Sequence, residues 1–280
     1  MIDVILHALP IAIVASTPLL LAVEGEMVVQ RAGIINLGIE GMMLTAAMTA
    51  VLAQHATQSV LAGFAGGVLG ALLVAAIFGV FAIRYRADQI VTGTAINLLG
   101  LGLTGFVYQA AGGALFAASA MSEVAQYVVV LLAWIAVPAA LAVMLWMTPF
   151  GLRLRAAGEN PEAVQHVHAY RWSALAIEAL LAGAGGAFLA LALSSGFAEN
   201  MTAGRGFIAL SIVIFGRWKV RGAIVGTALF GVAAGLQYTL QAMNIGLPFH
   251  LLLAVPYVVT LLILCGIAGR VRAPESLGKA

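Results

Sequence analysis

The sequence predicts an all-α polytopic membrane protein of about nine crossings, one of them short or broken, with the N-terminus outside and the C-terminus cytoplasmic. Three observations carry that reading. The 280 residues are 63% hydrophobic and 9% charged, with a mean hydropathy of +1.08. A soluble domain carries about 25% charged residues, so this chain cannot cover a surface that faces water. Apolar stretches of the length that crosses a bilayer, about 20 residues, recur throughout. The basic residues between them fall to one side when nine crossings are counted.

Taken in order, "MIDVILHALPIAIVASTPLLLAV" has no basic leading region, which argues against a cleaved signal peptide and for a retained span at about 4–23. Further spans are predicted at about 39–58, 59–83, 90–110, 124–147 and 172–195. The stretch "FIALSIVIFG" (207–216) is too short to cross as a straight helix. It crosses only if "ENMTAGRG" before it enters as irregular backbone, which a membrane tolerates where it is buried in protein or lines a cavity. Two more spans follow at about 223–243 and 251–268. Counting 207–216 as a crossing puts Arg31, Arg84, Arg86, Arg153, Arg155, Arg171, Arg217, Lys219, Arg221, Arg270, Arg272 and Lys279 on the cytoplasmic face and leaves Arg205 alone outside. Otherwise the clusters 217–221 and 270–279 would turn outward.

No linker or low-complexity run divides the chain, so 1–280 reads as a single transmembrane domain. The lone Cys265 allows no internal disulfide and gives no metal-ligand spacing; no metal is expected. A net charge of +2 with basic residues in scattered pairs gives no footprint for nucleic acid. There is no GxxxxGK[ST], and the two lysines are Lys219 and Lys279, so the chain does not bind ATP through a P-loop. HExxH, GxSxG and a carboxylate pair are absent from the sequence, which argues against an intramembrane enzyme.

Against this background "GLRLRAAGENPEAVQ" (151–165) is a polar island in the longest inside loop, about 148–171. Asn160 followed by Pro161 reads as an N-cap and a first helical position, and Glu162 suits the positive end of the helix dipole. The sequence therefore predicts a short helix of two to three turns over "PEAVQHVHAY". Such a helix is unstable alone and must dock, either on its own protein or headgroups or on a partner. His166 and His168, two residues apart, do not share a helical face, which argues against a metal pair.

The stretch "TPFGLRLRAAGENPEAV" resembles the cytoplasmic loop of membrane subunits of ATP-binding-cassette (ABC) importers. "RAGIINLGIEGMM" (31–43), "RADQIVTGTAINLLGLGLTGF" (86–106) and "ENMTAGRGFIALSIVIFGRW" (199–218) resemble the permease branch that handles nucleosides, simple sugars and branched-chain amino acids. The likeness is greatest to the shorter of two paired permeases in nucleoside-type importers, and it runs over nearly the whole chain. It implies a permease domain whose loop at about 148–171 is a coupling element for a cytosolic ABC ATPase. The coupling residues are then Arg153, Arg155, Gly158, Glu159, Asn160, Pro161 and Glu162. It also implies ATP bound by that partner and no cofactor here, a second permease subunit (identical or different), an extracytoplasmic solute-binding protein, and a bacterial cytoplasmic (inner) membrane. One departure is "VQHVHAYRW", where relatives run into small residues.

Polar groups within spans mark a pathway or a helix–helix seam. The candidates for the substrate pathway are Asn36 and Glu40 in "NLGIEG", Asn97 in "TGTAINLLGLG", Tyr108, and Asn200 with Ser211 around the broken segment. Each has a plainer alternative: a helix cap for Glu40, close packing for Asn97, an interfacial aromatic belt for Tyr108, an external loop for Asn200. The belt also takes Trp134, Trp146, Trp172 and Trp218. Glu178 is expected to pair with Arg171 or face a partner, since the sequence offers no second carboxylate nearby for a proton relay. The glycines in "GGVLG" (66–70), "GAIVG" (222–226) and "GVAAG" (231–235) are candidates for the seam with a second permease. A nucleoside is the expected cargo, with sugars, flavins and amino acids as alternatives. A stand-alone secondary transporter would want buried carboxylates or a Na⁺ site near mid-membrane; the spans as drawn offer Glu40 and Glu178, both near the cytoplasmic side, which disfavours ion coupling and leaves a passive pore as the alternative.

Overall fold

The first helix does not stop where its apolar run ends. In the computed structural model, which describes residues 2–112, 116–119, 121–242, 258 and 272–279, α1 runs Ile2–Arg31 and carries Glu24, Glu26 and Gln30 into the interior. A linker, 32–38, turns at Gly33 (φ +88°) and leads into α2 (Ile39–Thr57). Next come α3 (Val60–Gly79), extended by a π-helical turn at Val80–Arg84, and α4 (Gln89–Ala111). Helices α5 (Glu123–Leu131) and α6 (Val137–Met147) are continuous through a π turn at Leu132–Ala136. Then follow α7 (Pro149–Glu159), α8 (Val167–Phe188, extended by Leu189–Leu193), α9 (Arg205–Phe215) and α10 (Val220–Ala242).

Six helices among the described residues are long and apolar enough to cross a membrane: Pro10–Arg31, Val60–Arg84, Gln89–Ala111, Glu123–Met147, Val167–Leu193 and Val220–Gln237. The expected count of about nine is therefore corrected to six. Two of the segments counted before do not qualify, for separate reasons. Helix α2 has the length, but Glu40 near its start and Gln54 and His55 near its end lower its hydropathy. Helix α9 has 11 residues, about 16 Å at 1.5 Å per residue, half of what crossing requires. The segment 251–268 lies outside the described residues. The inside–outside assignment depended on nine crossings and is withdrawn with them.

Helices α1, α2 and α8 form the centre, and burial separates them from the periphery. In the α8 span 72% of residues are buried by the protein, against 22% in α4 and 28% in α5–α6, so the latter present their leucines and valines to lipid. The glycine stripes proposed as a subunit seam are used inside the chain. A Cβ on Gly67 would meet Ala187 of α8 at 2.9 Å and Ala46 of α2. One on Gly226 would meet Ile212 at 2.7 Å and one on Gly231 would meet Ser16 at 2.6 Å. Small residues let helix backbones approach in a medium that supplies no hydrophobic drive, and here they do so between α3 and α2–α8 and between α10 and α9–α1.

Candidate functional site

The polar island folds as a helix, one step earlier than its most visible start signal. Thr148 caps α7, its Oγ1 accepting from Gly151 N–H at 3.1 Å, and Pro149 takes the first helical position. The expected helix over "PEAVQHVHAY" is thus corrected. Asn160 lies at the end of α7 (φ −141°, ψ 88°), and Pro161–Ala163 make one 3₁₀ turn. His166 at φ +57° then breaks the chain before α8 begins at Val167. Two cap-plus-proline signals stand twelve residues apart, and the earlier one has the longer run of helix formers behind it.

Helix α7 is clamped to the body on one face. Arg155 Nε donates to Leu145 O at 3.0 Å, and Arg31 Nε donates to Trp218 O at 2.8 Å. Both guanidinium groups lie over the ring of Trp146, at 5.4 and 5.6 Å from its centroid, the geometry of a cation–π contact. Gly158 Cα sits against the carbonyl of Arg31 and the N–H of Gly33, with no room for a Cβ. The other face is open: Arg153, Glu159, Asn160 and Glu162 are exposed, with Pro161 half-buried. Arg153 donates to Tyr170 Oη at 3.2 Å, a hydrogen bond that raises the arginine's already high pKa.

A third strand of contacts was invisible in the sequence. The C-terminal residues 272–279 return to α7: Ser276 N–H and Oγ donate to Gly158 O at 2.9 and 2.7 Å, and Gly278 N–H donates to Gly33 O at 3.1 Å. Arg171 donates to the carbonyl of Lys279 at 3.3 Å, so the expected Arg171–Glu178 pair is not formed. Beside this strap lies a cavity of about 480 Å³ lined by Arg86, Glu159, Glu162, His168, Arg171 and Lys279, among others. Ser276→Ala removes the hydroxyl bond to Gly158 and costs about 1 kcal/mol. Hydrogen–deuterium exchange should rise in 272–279 and in 156–159, and stay unchanged in α2 and α3.

The linker 32–38 is pinned almost residue by residue. Gln89 Oε1 accepts from Ile35 N–H at 2.8 Å, and Asn97 donates to Leu37 O at 2.7 Å while accepting from Gly41 N–H at 2.8 Å. Asn36 Oδ1 accepts from Gly38 N–H at 2.9 Å, and its Nδ2 donates to Glu178 Oε2 at 2.8 Å. Glu40, at the start of α2, reaches the broken segment: Oε1 accepts from Gly204 N–H at 2.8 Å and Oε2 from Gly206 N–H at 2.6 Å. The carboxylate thereby caps the unpaired amides that open α9. Asn36, Glu40 and Asn97 are thus brought together in one polar joint between α1, α2, α4, α8 and α9.

The other three candidates lie elsewhere. Tyr108 packs against Phe116 and Phe197 (ring centroids 5.0 and 5.7 Å) in an aromatic cluster where residues 116–118 pair with 195–197. Asn200 is exposed on the turn before α9, at φ +55°. Ser211 donates to Phe207 O within its own helix at 3.0 Å. Glu199 accepts from Gln109 at 3.0 Å, and Arg205 folds back on the carbonyls of Met201 and Thr202. Trp218, assigned to the interfacial belt, is instead 3% exposed and donates to Gln30 Oε1 at 2.6 Å. A buried indole N–H needs an acceptor, and α1 carries one there because it continues past its apolar run.

Six helices among the described residues that are long and apolar enough to cross, with a polar joint closed between helices and a clamped helix outside the crossing set, define a multi-pass membrane protein. The chain belongs to the family described as branched-chain amino acid transport system / permease component, whose model matches residues 8–265. It is the transmembrane permease subunit of an ABC importer for a small polar solute, a non-catalytic part of that system. Among characterised proteins it is similar to the nucleoside ABC transporter permease protein NupC of Lactococcus lactis, at 32% identity with 95% of this chain and 93% of the relative covered. The guanosine ABC transporter permease protein NupQ of Bacillus subtilis is 32% identical over 96% of this chain and 94% of its own. The putative glucose ABC transporter permease protein TsgC13 of Haloferax volcanii is 34% identical over 83% and 77%. No solved structure shows a significant match.

Proposed function

We propose that this permease conducts a nucleoside, driven by a cytosolic ATPase that docks on the open face of α7 and the 160–163 turn. The observation that carries the docking reading is the division of α7 into two faces. One is fixed to Arg31, Gly33 and Trp146, and the other leaves Arg153, Glu159, Asn160 and Glu162 in the open. Arg155, Gly158 and Pro161 then serve the same surface from its clamped side or its turn. A push on this face passes through backbone contacts to the end of α1 and the linker, where Asn36, Glu40 and Asn97 hold the helices of the pathway in register. Tyr108 and Asn200 are assigned to the far part of the same route, and Ser211, on α9 between the Glu40 cap and the Trp218 corner, to the part nearer α7.

The nucleoside assignment rests on the two relatives named for nucleoside and guanosine transport. The glucose-named relative supplies the second reading, a sugar. The remaining partners of this proposal are a second permease subunit seated on the lipid-facing helices and a solute-binding protein at the opposite end from α7. Its site is the cytoplasmic membrane of a prokaryote.

The test is uptake by vesicles holding the whole importer, using labelled nucleosides, glucose, riboflavin and leucine. Saturable ATP-dependent uptake of a nucleoside supports the assignment; uptake of glucose alone overturns it. In the same vesicles the pair Arg153→Glu and Glu162→Lys should lower ATP-driven uptake about tenfold, as a loss of ~1.4 kcal/mol at the docking contact would. Undiminished uptake in that double variant removes α7 from the coupling surface.

A further inference from the structure

Two buried carboxyl groups meet where α1, the linker and α8 join, and nothing assigned so far uses them. Glu26 and Glu178 are both fully buried. The backbones bring them together: a Cβ on Gly25 would lie 3.0 Å from Glu178 Cα and 3.3 Å from its Cγ. Glu26, the residue after Gly25, is thereby set beside Glu178. One oxygen of each is satisfied, Glu26 Oε1 by Gln30 Nε2 at 2.7 Å and Glu178 Oε2 by Asn36 Nδ2 at 2.8 Å. The other oxygen of each, Glu26 Oε2 and Glu178 Oε1, has no donor among the described residues.

Among the described residues no cation stands in for a donor. The groups facing the pair are Gln30 from α1, Asn36 from the linker and, behind Gln30, Trp218 from the α9–α10 corner. The nearby arginines are engaged elsewhere, Arg31 with Trp218 O and Arg171 with Lys279 O. Glu24 lies on another side of α1, two residues away, and no donor among the described residues reaches either of its oxygens. Two acceptor-only carboxylates side by side and away from water would repel, and each would leave a buried oxygen unpaired. A single proton removes both problems, since one carboxyl then donates to the other.

We propose that Glu26 and Glu178 form a proton-binding site that holds one shared proton and thereby latches α1 to α8 beside the linker. The second carboxylate missing from the sequence-level argument about Glu178 is Glu26. With Asn36 bonded to Glu178 and Trp218 to Gln30, the latch gathers four segments into one unit. Glutamine at either position reproduces the neutral donor that the shared proton supplies and leaves the pair with the same single negative charge, so the amide should replace the latch.

The experiment uses the purified full-length chain in detergent and infrared spectroscopy of the carboxylic acid C=O stretch at neutral pH, in H₂O and D₂O. The wild type should show a protonated-carboxyl band that shifts in D₂O and loses a component in both Glu26→Gln and Glu178→Gln. Glu24→Gln serves as the control that identifies any band from that residue. Both glutamine variants should also keep the thermal midpoint near that of the wild type, whereas Glu178→Ala, which strands Asn36 and Glu26, should lower it. The proposal is overturned if neither glutamine variant loses a band, or if both unfold as readily as Glu178→Ala. Neither measurement depends on the cargo or on the ATPase, so failure here is separable from failure of the transport assignment.

Discussion

Replacing Glu40 with alanine should destabilise the permease by about 3 kcal/mol, because it removes two hydrogen bonds to a charged acceptor, each worth about 1.5–3 kcal/mol. The N–H groups that it caps belong to Gly204, just before α9, and Gly206, in its first turn. Helix α9 is too short to cross a membrane and depends on this carboxylate to be anchored at its start. Glu40→Gln should recover part of the loss, since its amide carbonyl can accept one of the two bonds. Gly206→Ala should resemble Glu40→Ala for a steric reason: its Cβ would lie 2.6 Å from the Glu40 backbone nitrogen. The check is a thermal melt of each purified variant in detergent. A Glu40→Ala protein melting with the wild type would show that α9 does not need the cap.

The second large effect is expected at Gly158. A side chain there would overlap the Arg31 carbonyl and come within 3.0 Å of Gly33 N–H, and neither is a flexible side-chain end that can yield. Overpacking of this kind costs about 1–3 kcal/mol. For Gly158→Val the relief available is for α7 to lift from the end of α1, breaking the Ser276 bonds to Gly158 O. Because α7 lies outside the crossing helices, the bundle should still assemble while ATP-driven uptake is lost. Membrane insertion and uptake measured on the same vesicles distinguish this from general misfolding. Normal uptake by Gly158→Val would mean that the close contact between α7 and α1 is not needed for transport.

Much of this was legible along the chain because it is encoded in local pattern. Composition and the recurrence of apolar stretches were enough to place the chain in lipid, and the run 151–165 stood out as a polar island whose short helix, expected over 161–170, had to dock on its own protein, on headgroups or on a partner. Local pattern also produced the errors. Asn160–Pro161 is a sound start signal in isolation, but Thr148–Pro149 carries the same signal ahead of the longer helical run. Glu24 and Glu26 appeared to lie past the end of the first span, because the hydropathy falls there while the helix continues to Arg31.

What the sequence by itself determined was therefore the class of solvent, the helical character of the elements and the segments where polar backbone or side chains had to be accounted for. These follow from side-chain chemistry and from periodicities of a few residues. Only the tertiary structure decided which polar groups meet: Glu40 with Gly206, Asn36 with Glu178, Gly158 with Ser276, each separated by more than a hundred positions. It also decided how many helices qualify to cross, since the folded helix bounds leave α9 with 11 residues and place Glu40, Gln54 and His55 within α2. The physical reason is the same in each case. A polar group in a membrane bundle is permitted only by a partner, and nothing in the local sequence says from which helix that partner will come.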